Sequence, residues 1–150
     1  MPQEQLLQKF ADAYEQTIAA ATEATQRGIT GKANKWGPRE IIAHLAGWEV
    51  LAAQRIPYIA AGMAPFAESD EQRQSIMDNA LNAMMVTMIG DQSFEQVCGI
   101  LRHAYQDTIA MLRKLDEKSF QPGTYAYERT VDVLDHCKEH IDQISALHHS

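Results

Sequence analysis

Sulfur chemistry is scarce in this chain: Cys98 and Cys137 are its two cysteines, far apart and without CxxC spacing. A disulfide framework is therefore not expected, and free thiols are the default. Positive charge is scarce too, with 13 Lys and Arg against 20 Asp and Glu, a formal net charge of -7 and no basic cluster. That balance argues against binding a nucleic-acid backbone or an anionic membrane surface. The opening MPQEQLLQKF has no basic segment followed by an apolar one, and no run of about eighteen apolar residues occurs anywhere. A cytoplasmic protein is the expectation. Internal repeats, low-complexity tracts, Gly-rich phosphate loops and alternating strand patterns are also missing.

What remains is helical periodicity in a chain of 150 residues, 45% hydrophobic and 22% charged, which suits a single globular domain over residues 1–150. The first amphipathic stretch covers Gln3 to about Arg27, with Leu7, Phe10, Tyr14, Ile18 and Ala21 on one face and Gly28 as its C-cap. ITGKANKWG reads as a loop. Pro38 suits the first turn of a second helix reaching about Ile56, where Pro57 should kink or end it, although PYIAA can carry it on to Gly62. MAPFAESDE is the longest irregular connection. A third stretch, Glu71 to Ile89, holds Met77, Met84, Met85 and Met88, read as core filler rather than metal or redox groups. Gly90 closes it, and Ser93 with Gln96 has capping-box spacing for a helix to about Leu115. QPGTYAY reads as a loop or extended link before a last helix from about Thr130 to Leu147. The fold class is all-α: an antiparallel bundle of four main helices, with room for an additional helical piece between the second and third.

The chemistry sits in three histidines. In DHCKEH, His136 and His140 are one turn apart, about 40° around the helix, at one edge of an apolar arc made by Val133, Cys137, Ile141 and Ile144. Asp132, Asp135, Lys138, Glu139 and Asp142 fall on the opposite side. His44 borders the apolar face of the second helix in the same way, beside Ile41, Leu45 and Trp48. Two histidines at this spacing are more often solvated or hydrogen-bonded than metal-binding, and a third at a matching edge brings the metal reading level. Three neutral imidazoles can hold a divalent first-row ion and leave positions open for water or substrate.

KWGPREIIAHLAGWE, residues Lys35 to Glu49, resembles the signature of the DinB-like (DinB/YfiT) superfamily, and HCKEH resembles the paired histidines of that family's last helix. The resemblance extends over the order of helices and essentially the whole chain, with wording closest to the ClbS/DfsB branch. It implies a four-helix bundle of up-down-down-up topology and a divalent metal held by His44, His136 and His140. Zinc or nickel comes first, with iron or manganese also compatible. It further implies either a transferase using a low-molecular-weight thiol such as bacillithiol or mycothiol, or a hydrolase acting on a reactive electrophile. The expected partner is a small-molecule substrate, not nucleic acid or membrane, and a homodimer through a flat apolar helix face fits the bundle.

An open three-histidine metal brings bound water or thiol toward a neutral pKa or polarises an electrophile, so the metal does not choose between transfer and hydrolysis. Glu49, about 140° from His44 on the buried side of its helix, is the candidate catalytic residue, a general base or a partner to the ligands. The favoured alternative is a structural ion pair with an arginine such as Arg55, Arg102 or Arg113. Glu40 is a candidate acceptor for an imidazole N–H, and more simply a favourable charge at a helix start. His103 reads as a surface residue, Cys137 as a buried inert thiol, Trp36 as a loop anchor and Trp48 as core, with both aromatics able to wall a pocket. His148 and His149 stand at a terminus expected to fray. The non-enzymatic alternative is a metal- or ligand-binding bundle that protects stoichiometrically.

Overall fold

The computed structural model describes residues 3–63 and 70–147. Five α-helices carry the chain: α1 (Gln3–Gln26), α2 (Pro38–Ala60), α3 (Glu71–Ile89), α4 (Phe94–Arg113) and α5 (Tyr125–Ser145), with a short 3-10 turn at Glu117–Ser119. No strand forms among the described residues. The fold is all-α, a helical bundle. Residues 64–69, the middle of the expected long connection, and His148 and His149 lie outside the described residues.

The helix ends follow local chemistry. Gly28 adopts φ +80, and the Ile29 and Gly28 N–H groups reach back to the Ala24 and Thr25 carbonyls at 3.1 and 2.9 Å. That double bond is a Schellman ending, which favours a glycine at this position. Pro38 opens α2, and Ser93 and Gln96 exchange the reciprocal bonds of a capping box at the start of α4. Pro57 does not end α2, which runs through it to Ala60. Its ring lies on the exposed side, so the helix loses one backbone bond there without a clash against packed neighbours.

Four helices make the bundle. Gln3 meets the Leu112 carbonyl, and Glu4 and Glu15 pair with Arg113 and Arg102, so α1 and α4 run antiparallel. Glu49 meets Arg129 while His44 stacks near His136 and His140, which sets α2 antiparallel to α5. Pro38 lies near Phe94 and Ile56 near Leu115, so α2 and α4 run parallel. The core gathers Leu6, Leu7, Phe10, Ile41, Ile42, Leu45, Val97, Leu101, Leu112 and Ile144, each 2% exposed or less. Burying side chains of this size stabilises by about 1.5–3 kcal/mol apiece before conformational entropy is counted.

Helix α3 stands outside this bundle and packs chiefly on α2. Gly47 permits the approach, since a Cβ there would sit 2.5 to 2.7 Å from the side chain of Met85. The methionines depart from expectation: Met85 alone of the four is buried, while Met77, Met84 and Met88 are exposed together with Ile76. The reason is the position of α3, which has one packed flank instead of being enclosed on several sides. The last helix also begins earlier than expected, at Tyr125 and not near Thr130. Thr124 caps it by accepting from Tyr127 N, after Gly123 at φ +94. The aromatic YAY segment, read as extended, is the first turn of α5.

Candidate metal centre

His44 comes from α2, and His136 and His140 from successive turns of α5. One ring nitrogen from each lies within 4.8 Å of the others, and this is a group that could hold a metal ion. His136 and His140 share a hydrogen bond between their Nε2 atoms at 3.0 Å, one ring donating its N–H, a proton that a bound metal would displace. Two imidazoles binding one ion at ~2.1 Å would show a similar separation, at an angle near 90°. The ring centroid of His44 is 5.7 Å from that of His136 and 5.0 Å from that of His140.

The outer nitrogens decide which atoms face inward. His44 Nδ1 lies 2.9 Å from Asn82 Oδ1, the same oxygen that accepts the indole N–H of Trp48. Because an indole nitrogen only donates, the carboxamide atom between them is an acceptor, and His44 Nδ1 must carry the proton. The neutral ring then turns a bare Nε2 toward the other two histidines. His140 also faces a carboxamide, with Gln143 Oε1 2.8 Å from its Nδ1. The His44 ring is thus fixed as the Nδ1–H tautomer and the His140 ring is oriented through its outer nitrogen, a common setting for histidine ligands. Asn82 and Gln143 carry no sequence signal for this role. Gln143 sits three residues after His140, but Asn82 arrives from α3, whose placement periodicity does not give.

Electrostatics favour neutral rings. Burial pushes the His44 imidazole down to about 4, helped by the nearby His140 and opposed by the Asn82 bond. His136 and His140 are lowered by burial as well, His136 with a further contribution from His140. Metal binding requires this state. Trp36, half-buried ahead of α2, lies with its ring centroid 5.2 Å from that of His44.

Beside the cluster lies a cavity of about 460 Å³, lined among others by His44, Trp48, Arg55, Asn82, Tyr125, Asp132 and His136. Trp48 is therefore a wall of the cavity and not a core residue. Asp132, expected opposite the apolar arc, lines this space with His136. It lies one turn earlier on α5, at the edge that the cavity opens.

Glu49 sits in a different setting. It is fully buried; Arg129 donates to both its oxygens at 2.9 and 2.8 Å, Thr108 donates to Oε2 at 2.7 Å, and the Tyr14 hydroxyl donates to Oε1. Four donors use all four lone-pair positions of the carboxylate. The ion pair is thus with Arg129, not Arg55, Arg102 or Arg113. Arg102 and Arg113 are engaged by Glu15 and Glu4 on the far side of α1. Burial alone would lower the Arg129 guanidinium, and the charge and bonds of Glu49 more than reverse this. Tyr14 is raised well above its ordinary value by burial, then by Glu49.

The remaining candidates fall away from the centre. Glu40 accepts from the Gly37 N–H at 3.0 Å and from Arg39 at 3.1 Å, closing the start of α2. The His103 side chain is 81% exposed and meets Asp107 at 3.3 Å. Cys98 and Cys137 are free and buried. No family model matches the chain, and no match is found among curated proteins or solved structures. Among the described residues no helix is long and apolar enough to cross a membrane.

Proposed function

We propose that this chain is a divalent-metal-dependent enzyme of the DinB-like type, working in the cytoplasm on a reactive small-molecule electrophile by thiol transfer or hydrolysis. One observation carries the reading. Three imidazoles from two helices converge, with the His44 tautomer fixed so that its bare Nε2 faces inward, at a cavity large enough for a small molecule. His44, His136 and His140 would hold the ion. A divalent metal bound there, zinc or nickel first, supplies a nucleophilic water or thiol near neutral pH, or polarises an electrophile.

The chain's own residues do the rest. Asn82 and Gln143 orient two ligands. Trp48 and Tyr125 supply aromatic walls against which an apolar substrate can exclude water. Glu49, with its lone pairs spent, acts on the cavity through Arg129 and Tyr14, which both line it; it is a positioning residue. Asp132, a cavity-lining carboxylate one turn from His136, is a better candidate than Glu49 for taking a proton. The exposed face of Ile76, Met77, Met84 and Met88 suits a homodimer contact.

The test begins with metal content by elemental mass spectrometry on tag-free protein purified without chelator or metal column, beside His44→Ala and His140→Ala. About one equivalent of divalent metal, lost in both variants, supports the centre. Turnover of electrophiles with water alone marks a hydrolase, and turnover only with added thiol marks a transferase. Stoichiometric capture without turnover replaces the enzyme with a binding bundle. Absence of metal uptake on reconstitution removes the reading.

A further inference from the structure

The far end of the cavity carries charges that the histidine cluster does not use. Arg55 follows His44 by three turns, on the same face of α2 to within about 20° of rotation. It is half-buried, lines the cavity, and makes no ion pair among the described residues. Asp78 lines the same cavity from α3, one turn before Asn82, and among the described residues it accepts from the Gln74 amide at 2.8 Å and makes no ion pair. Arg55 and Asp78 thus bring opposite charges to one space from different helices without pairing with each other. Between the charges and the histidines run Trp48, Ala52 and Val133, an apolar or aromatic floor.

We infer that this cavity binds the zwitterionic head of an α-amino acid, its carboxylate on Arg55 and its ammonium on Asp78, with the remainder of the molecule extended along Trp48 toward the histidines. A simple anion would leave Asp78 facing it with like charge, and a simple cation would do the same to Arg55. A zwitterion satisfies both. The helix rise over three turns is about 16 Å, and an arginine side chain spans ~6 Å of that. The arm between the head and the reactive end is therefore about 10 Å long. The inference deepens the proposed reading by naming the substrate class, and it rests on the histidines being the reactive end.

The test uses metal-free protein, so that it stands apart from the metal question. S-hexyl-L-cysteine is titrated calorimetrically beside its analogues lacking the amino group, 3-(hexylthio)propanoate, or the carboxylate, 2-(hexylthio)ethylamine. The zwitterion should bind about tenfold more tightly than either analogue. Arg55→Met should erase its advantage over the amine, Arg55→Lys should restore part of it, and Asp78→Asn should erase its advantage over the propanoate. Equal binding of the three ligands, a ranking that survives both substitutions, or no binding by any of them overturns the inference. Metal titration of the same two variants should match the unsubstituted protein, since neither residue touches a histidine. A head preference without metal uptake would leave the amino-acid site standing while the metal reading fails, and the reverse result would do the opposite.

Discussion

Two polar clusters lie between α2 and α5, and they treat their hydrogen-bonding capacity in opposite ways. Around Glu49, every lone pair of a fully buried carboxylate is met by Tyr14, Thr108 or Arg129. Little more than a turn away on α2, the histidines spend their outer nitrogens on Asn82 and Gln143 and turn the inner ones toward each other. A saturated cluster has nothing left to offer a ligand, however unusual its chemistry looks. Convergent groups whose inner nitrogens meet only one another among the described residues can exchange that contact for a ligand. Burial and charge alone would have ranked Glu49 as the functional residue; counting lone pairs reverses the order.

The saturated cluster should break hardest. Glu49→Ala strands Arg129 among buried neighbours and should cost about 3–5 kcal/mol, read as a lower midpoint in urea unfolding. The pair Glu49→Leu with Arg129→Met should cost less than either single change, because both charges leave together. If the two single changes simply add, the closed network is not one unit. The open cluster should lose function before stability. Asn82→Leu frees the His44 tautomer and should weaken metal affinity by about 10–100-fold, while Asn82→Asp retains an acceptor and most of the affinity. Gly47→Ala forces Met85 and α3 away from α2, at about 1–3 kcal/mol. It should also lower metal affinity by displacing Asn82, which competition with a chelating dye would show. Gln143→Leu, at an exposed position, should have a smaller effect in the same assay.

The smallest effect concerns Cys137, adjacent to His136 in sequence but on the closed side. Burial pushes its thiol and that of Cys98 up to about 11. The unfolded chain ionises these thiols first, so their contribution is unchanged below the ordinary thiol value. Stability should then fall as pH rises from about 9 toward 11. At pH 8 neither thiol should react with an aromatic disulfide reagent until the protein unfolds.

Much of this arrangement was legible in the sequence where the physics is local. The Ser93 and Gln96 capping box, the Gly28 ending and the apolar face of α1 from Leu7 to Ala21 depend on neighbours within a few residues, and each appears as expected. His44, His136 and His140 were legible as inner-edge residues because rotation about a helix is fixed by spacing. What spacing cannot give is the angle between helices. The expected ion pair of Glu49 with an arginine forms, but with Arg129 and not with Arg55, Arg102 or Arg113. Arg129 was overlooked because the residues before it, tyrosines with strand preference, disguised the first turn of α5. Asp132 is exposed, as its place opposite the apolar arc implies, but rotation says nothing of the cavity that it borders there. The methionines misled for a related reason: a helix with apolar residues all round looks buried, and α3 is not.

Asn82 gives α3 a consequence for dynamics. The helix with the least packing in the molecule supplies the oxygen that fixes the tautomer of His44. Any free energy that a metal gains from this fixed ring must be returned in equal measure to the docking of α3, because the two events close one thermodynamic cycle. Amide hydrogen exchange in α3 should therefore slow when the centre is loaded, even though no metal ligand lies on that helix. Undocking of α3 would then be the release step for an ion held there. The segment that looks most dispensable in the fold would then set how long the site stays closed.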